Sequence, residues 1–138
     1  MPKSFVEVHA RVRPLATGSA SCGLTEDGAT LHVPSRASGV VGDRHYEFKS
    51  VLSQTSTQQQ CFAATTRPLV ESLVDGYNGA VLAYGQTGAG KSHTMFGPDA
   101  AANVYGDADR GLCARAISAA FQLISRRGLR DRATVGLS

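Results

Sequence analysis

Gly85-Gln86-Thr87-Gly88-Ala89-Gly90-Lys91-Ser92 is the stretch whose reading decides the fold. It fits the pattern Gly, four residues of any kind, Gly, Lys, then Ser or Thr. Glycines let the backbone curl until several N–H groups point inward as a nest for phosphate oxygens. Lys91 is placed to reach β and γ phosphates as a point charge, and the Ser92 hydroxyl to ligate Mg²⁺. A helix starting at the loop adds the positive end of its macrodipole. Chance produces this pattern in a chain of such size at about the one-per-cent level. The template also needs a buried strand before it, and Gly79-Ala80-Val81-Leu82-Ala83-Tyr84 is a short apolar run bounded by glycine.

Working outward, the chain's 138 residues suffice for one domain with a core, and its 42% apolar and 18% charged content is ordinary for a globular protein. No apolar run reaches the length of a membrane span and the N-terminus lacks a signal-peptide core, so a cytoplasmic or cytoskeletal setting without membrane contact is expected. The net charge of +3 argues only weakly for an acidic partner, and no nucleic-acid role is expected. Arg126, Arg127, Arg130 and Arg132 read as a solvated helix end. Cys22, Cys61 and Cys113 have no metal-ligand or redox spacing and read as reduced thiols without a catalytic role.

Upstream, Val6, Val8, Ala10 and Val12 alternate with Glu7, His9, Arg11 and Arg13. This is the period of a half-buried strand over residues 5–13, ended by Pro14. Arg11 and Arg13 then project from one face at the strand's end, where ligands sit in open α/β sheets. Asp27-Gly28 signals a hairpin, and residues of about 20–48 read as a small antiparallel appendage with a loop over 35–42. A helix is expected over 57–75. Ser56/Gln59 or Thr57/Gln60 would form a capping box, Phe62, Thr66, Leu69, Val70, Leu73 and Val74 the apolar stripe, and Pro68 a kink or break. Gly76 and Asn78-Gly79 close it. After the loop, a helical turn runs from His93 to Phe96, Gly97-Pro98 interrupts, and residues 99–110 read as loop. Leu112, Ala116, Ile117, Ala120, Phe121 and Ile124 form a second stripe stopped at Gly128, so loop strand, loop and helices occupy 79–127. Residues 133–138 begin a further strand.

Together these pieces resemble the kinesin motor domain. The resemblance rests on Arg11-Val12-Arg13-Pro14-Leu15, on Gly76-Tyr77-Asn78-Gly79, on the run from Ala83 through Lys91-Ser92-His93-Thr94-Met95, and on Arg110-Gly111-Leu112. Myosins carry a related loop, but Gln86-Thr87 with the Tyr-Asn-Gly lead-in is similar to kinesins. The resemblance implies an α/β fold, a P-loop NTPase with a central mixed β-sheet flanked by helices, of which this chain is the N-terminal part. It implies an ATP and Mg²⁺ site in which Arg11, Pro14 and His93 surround the adenine. Gly85, Gln86, Thr87, Gly88, Ala89, Gly90, Lys91 and Ser92 wrap the phosphates, with Ser92 on the metal. Val8-His9-Ala10, Gly39-Val40-Val41 and Phe121-Gln122-Leu123-Ile124 resemble kinesin family nine, associated with cilia and flagella. The implied partners of the parent are microtubules and tubulin, and a dimeric parent is left open.

Two kinesin elements that sense the γ-phosphate and position water, Asn-x-x-Ser-Ser-Arg-Ser-His and Asp-Leu-Ala-Gly, do not occur here. No Asp is followed by Gly three residues on. The expectation is therefore a partial copy of a motor that holds ATP, with no catalytic residue in this stretch. Two other readings stay open: a non-catalytic ATP- or tubulin-binding scaffold, and a different P-loop NTPase.

Overall fold

The structure, a computed structural model, describes residues 6–14, 23–24, 28–33, 44–98 and 108–129. The reading of 35–42 as a loop, most of the 99–110 loop and the strand start at 133–138 lie outside these residues. The chain forms two compact units, Met1–Ser56 and Thr57–Ser138.

The first unit holds the strands β1 (His9–Arg11), β2 (Gly23–Leu24), β3 (Thr30–Val33), β4 (Arg44–Glu47) and β5 (Ser50–Leu52). Strands β1 and β5 pair in parallel, with Ala10 opposite Val51. The ladder extends by one bond at each end, Lys49 N–H to Val8 C=O at 2.8 Å and Val12 N–H to Leu52 C=O at 2.9 Å. It is shorter than the alternation suggested. Val6 and Val8 precede the paired segment and stay exposed, because a strand face is buried only where a neighbour supports it. Strands β2, β3 and β4 form an antiparallel sheet in that order, with Leu24 opposite Leu31 and Leu31 opposite Tyr46. Val51 and Leu52 are the buried apolar residues described in this unit.

The second unit is helical in its described part. Helix α1 (Gln58–Thr65) starts at a complete capping box in which the Thr57 hydroxyl accepts from Gln60 N–H at 3.1 Å and Gln60 Oε1 accepts from Thr57 N–H at 2.8 Å. Two orphan amides of the first turn are thus satisfied reciprocally. Pro68 breaks the expected long helix. Thr66 ends α1 and caps α2 (Arg67–Val74), leaving the proline in the first turn, where its missing N–H costs nothing. Gly76, at φ 95°, ends α2 with paired bonds from Gly76 N–H to Leu73 C=O and from Tyr77 N–H to Ser72 C=O, both 3.0 Å. This double bond is the left-handed glycine stop. Helix α3 (Lys91–Phe96) follows the glycine loop, and α4 (Leu112–Arg126) stops in the same manner at Gly128. Cys61, Phe62, Val70 and Leu112 pack as the buried apolar core, and Arg127 pairs with Asp75 between the C-terminal ends of α4 and α2. Cys61 and Cys113 are free thiols, on α1 and α4.

Two features differ from what the apolar patterns alone suggest. Among the described residues, 79–84 pair with no strand. Leu82 is 91% and Tyr84 102% exposed. A strand exists through its ladder, and among the described residues none pairs with this segment. The α4 stripe is also only half covered: Leu112 is buried, while Ile117 and Phe121 are about half exposed. Helices α1, α2 and α3 all pack on α4 and still leave these two residues about half exposed.

Candidate nucleotide-binding site

The loop from Gly85 to Ser92 joins the extended segment to α3. Gly88 (φ 79°) and Gly90 (φ 96°) both take left-handed backbone that a side chain would strain, and Gly90 caps α3. A Cβ at either would meet nothing within 4 Å, so conformation, not crowding, requires glycine there, and the mouth of the loop is open. Ala89 N–H closes the turn on Gln86 C=O at 3.1 Å. Lys91 folds back over the loop, its Nζ donating to Gly85 C=O at 2.7 Å and Gln86 C=O at 2.8 Å. Its ammonium thus faces only neutral acceptors in these two bonds, which phosphate oxygens can replace at a gain, since charge-assisted bonds are about twice as strong as neutral ones. Gln86, Thr87, Gly88, Ser92 and His93 are exposed, whereas Gly85, Ala89, Gly90 and Lys91 are half-buried. Ser92, exposed beside Lys91, is the residue of this loop whose side-chain oxygen would be the candidate ligand for a Mg²⁺ ion.

Two backbone fixings hold α3, which has no buried side chain of its own. Gln58, only 4% exposed, donates its amide Nε2 to His93 C=O at 2.6 Å and lies 3.4 Å from His93 Nδ1. Gly111, the N-cap of α4, sits so close to the end of α3 that a Cβ would lie 2.4 Å from Met95 C=O oxygen and 2.5 Å from Phe96 carbonyl carbon. Next to it, Arg115 gathers the chain before α4. It donates to Arg110 C=O at 2.9 Å, to Ala108 C=O at 3.0 Å and to Gln59 Oε1.

Arg11 and Pro14 belong to the first unit. Arg11 ends β1, half-buried, with a long 3.5 Å bond to Ser56 C=O, and Arg13 and Pro14 are exposed just beyond it. The structure thus brings Gly85 through His93 together in the second unit and puts Arg11 and Pro14 at the C-terminal end of a parallel strand in the first. The motif template pointed to neither Gln58 nor the packing role of Gly111. For Gln58 a signal existed: it stands three and four residues before Cys61 and Phe62, on the apolar stripe where a polar side chain must find a partner.

An open glycine loop with a folded-back lysine, running into a helix on an α/β chain, defines the class as a P-loop nucleotide-binding protein. The kinesin motor domain family model matches residues 11–138, and the chain belongs to that family. It is 38% identical over 129 residues to the kinesin-like protein KIN-14F of Oryza sativa subsp. japonica, covering 91% of this chain and 12% of that protein. With the kinesin-like protein KIF7 of Mus musculus it shares 38% identity over 132 residues, covering 91% of this chain and 9% of the relative. A solved structure of a fast kinesin, studied for its ATPase mechanism and interactions with microtubules, superposes with a TM-score of 0.75 at 30% identity. That superposition covers 88% of this chain and 33% of the solved one. The chain spans about an eighth or less of the length of these curated relatives.

Proposed function

We propose that the chain is the ATP-holding part of a microtubule motor. The observation that carries this reading is the Lys91 ammonium poised over an open, left-handed glycine loop within a kinesin-family chain. On binding, Lys91 exchanges the Gly85 and Gln86 carbonyls for β and γ phosphate oxygens. The N–H groups of Gly88 to Ser92 line the phosphate nest, and Ser92 takes the Mg²⁺. Arg11, Pro14 and His93 serve the adenine. Bound ATP with its Mg²⁺ supplies the scissile phosphoanhydride. This chain's own residues bind and orient it.

Hydrolysis belongs to a longer parent. What supports this is that the two switch patterns do not occur in these 138 residues. The parent is proposed to couple γ-phosphate sensing to its affinity for tubulin, in the cytoskeleton and with dimerisation open. The cilium and kinesin family nine rest only on three short stretches, and the relatives named above are KIN-14 and KIF7 proteins, so the proposal stays at the level of the family. The test compares phosphate release by the parent with microtubules and by the 138-residue chain alone. Microtubule-stimulated turnover by the parent and none by the chain is expected. Turnover by the isolated chain, or none by a folded parent, would contradict the reading.

A further inference from the structure

We propose that Gln58 is a positioning residue that fixes the tautomer of His93 and, through it, the ring face offered to a nucleotide. The chemistry of two contacts forces the assignment. The group 2.6 Å from His93 C=O must be a donor, since an amide oxygen there would face another oxygen, so the amide nitrogen of Gln58 occupies that position. This nitrogen carries two protons and has no acceptor capacity. The same nitrogen stands 3.4 Å from His93 Nδ1. A protonated Nδ1 would set hydrogen against hydrogen, so Nδ1 is the acceptor and the proton of the neutral ring sits on Nε2. Gln58 is buried and His93 exposed, so the fixed partner is on the protein side and the Nε2–H edge remains for a ligand or water.

The same amide holds the carbonyl that Gly97 N–H bonds at 2.9 Å to close α3. Gln58 thus ties both the backbone and the ring of His93 to the first turn of α1, immediately after the capping box that orients that turn. A histidine anchored at one ring nitrogen presents the other in a defined direction. The tautomer is inferred from these two contacts; its effect on ATP rests on the proposed nucleotide site.

The experiment is long-range proton–nitrogen NMR on the ¹⁵N-labelled 138-residue chain without nucleotide, with His93 identified by the signal lost in His93→Gln. The expected result is a pyridine-type Nδ1 and a pyrrole-type Nε2, with Gln58→Met, similar in size but unable to donate, giving a mixture of tautomers. A wild-type ring protonated at Nδ1, or a mixture identical in both proteins, would overturn the proposal. Where Gln58→Met does not fold, Gln58→Leu, which also cannot donate, makes the same comparison. For the ligand, Gln58→Met should weaken ATP binding about 5- to 10-fold, the size of one buried hydrogen bond. Unchanged ATP affinity in a folded variant would refute the positioning role. Wild-type chain that binds no ATP but shows the Nε2–H tautomer would instead count against the nucleotide site.

Discussion

Single residues carry the most specific chemistry in this chain. His9 was legible only as an outward strand position, yet its side chain is 13% exposed, with Nδ1 at 2.8 Å from Ser50 Oγ and Nε2 3.8 Å from Glu7. Period-two alternation does not reveal that Ser50 stands opposite it on β5. Burial lowers the His9 pKa below 6.5, Glu7 opposes this, and Lys49 adds to it. The folded chain then binds fewer protons than the unfolded chain near and below that value. The contribution to stability is therefore complete above 6.5 and declines as pH falls through the folded pKa. Denaturation midpoints measured from about pH 8 down to about pH 5 should fall for the wild type and be flatter for His9→Gln. Equal slopes would contradict the burial effect. For Lys91 and the glycines, by contrast, the motif depends on local backbone chemistry, and the left-handed Gly88 and Gly90 and the folded-back lysine are compatible with it.

At the scale of elements, caps and stops read well and pairing did not. Thr57/Gln60, Pro68, Gly76 and Gly128 act through neighbours three to five residues away, so their signals are contained in the local sequence. The segment 79–84 has the composition of a buried strand, but composition does not supply a partner, and its Leu82 and Tyr84 stand exposed. Gly111 shows the opposite case, where a residue read only as part of a family motif acquires a physical reason. Its backbone touches the end of α3 so closely that a methyl group would overlap Met95 and Phe96 backbone atoms. Backbone atoms cannot rotate aside as a side chain would. Gly111→Ala should therefore cost about 1–3 kcal/mol of stability, read from urea denaturation, and weaken ATP binding by displacing α3. A variant as stable as wild type with the same affinity would show that the approach is not tight.

For the whole molecule, the buried apolar residues among those described are Val51 and Leu52 in the first unit and Cys61, Phe62, Val70 and Leu112 in the second. The α/β class and the family were legible because the run from Gly76 to Met95 is dense in residues whose identity the site dictates. The extent of burial was not, since Leu82, Tyr84, Ile117 and Phe121 look like core in sequence and are exposed here. The central claim is that Lys91 and its loop bind ATP. Titration calorimetry of the 138-residue chain with Mg²⁺ and ATP, beside Lys91→Ala, tests it most directly. Losing two charge-assisted bonds should lower affinity by at least about a hundredfold, while affinity unchanged in a folded Lys91→Ala chain would contradict it.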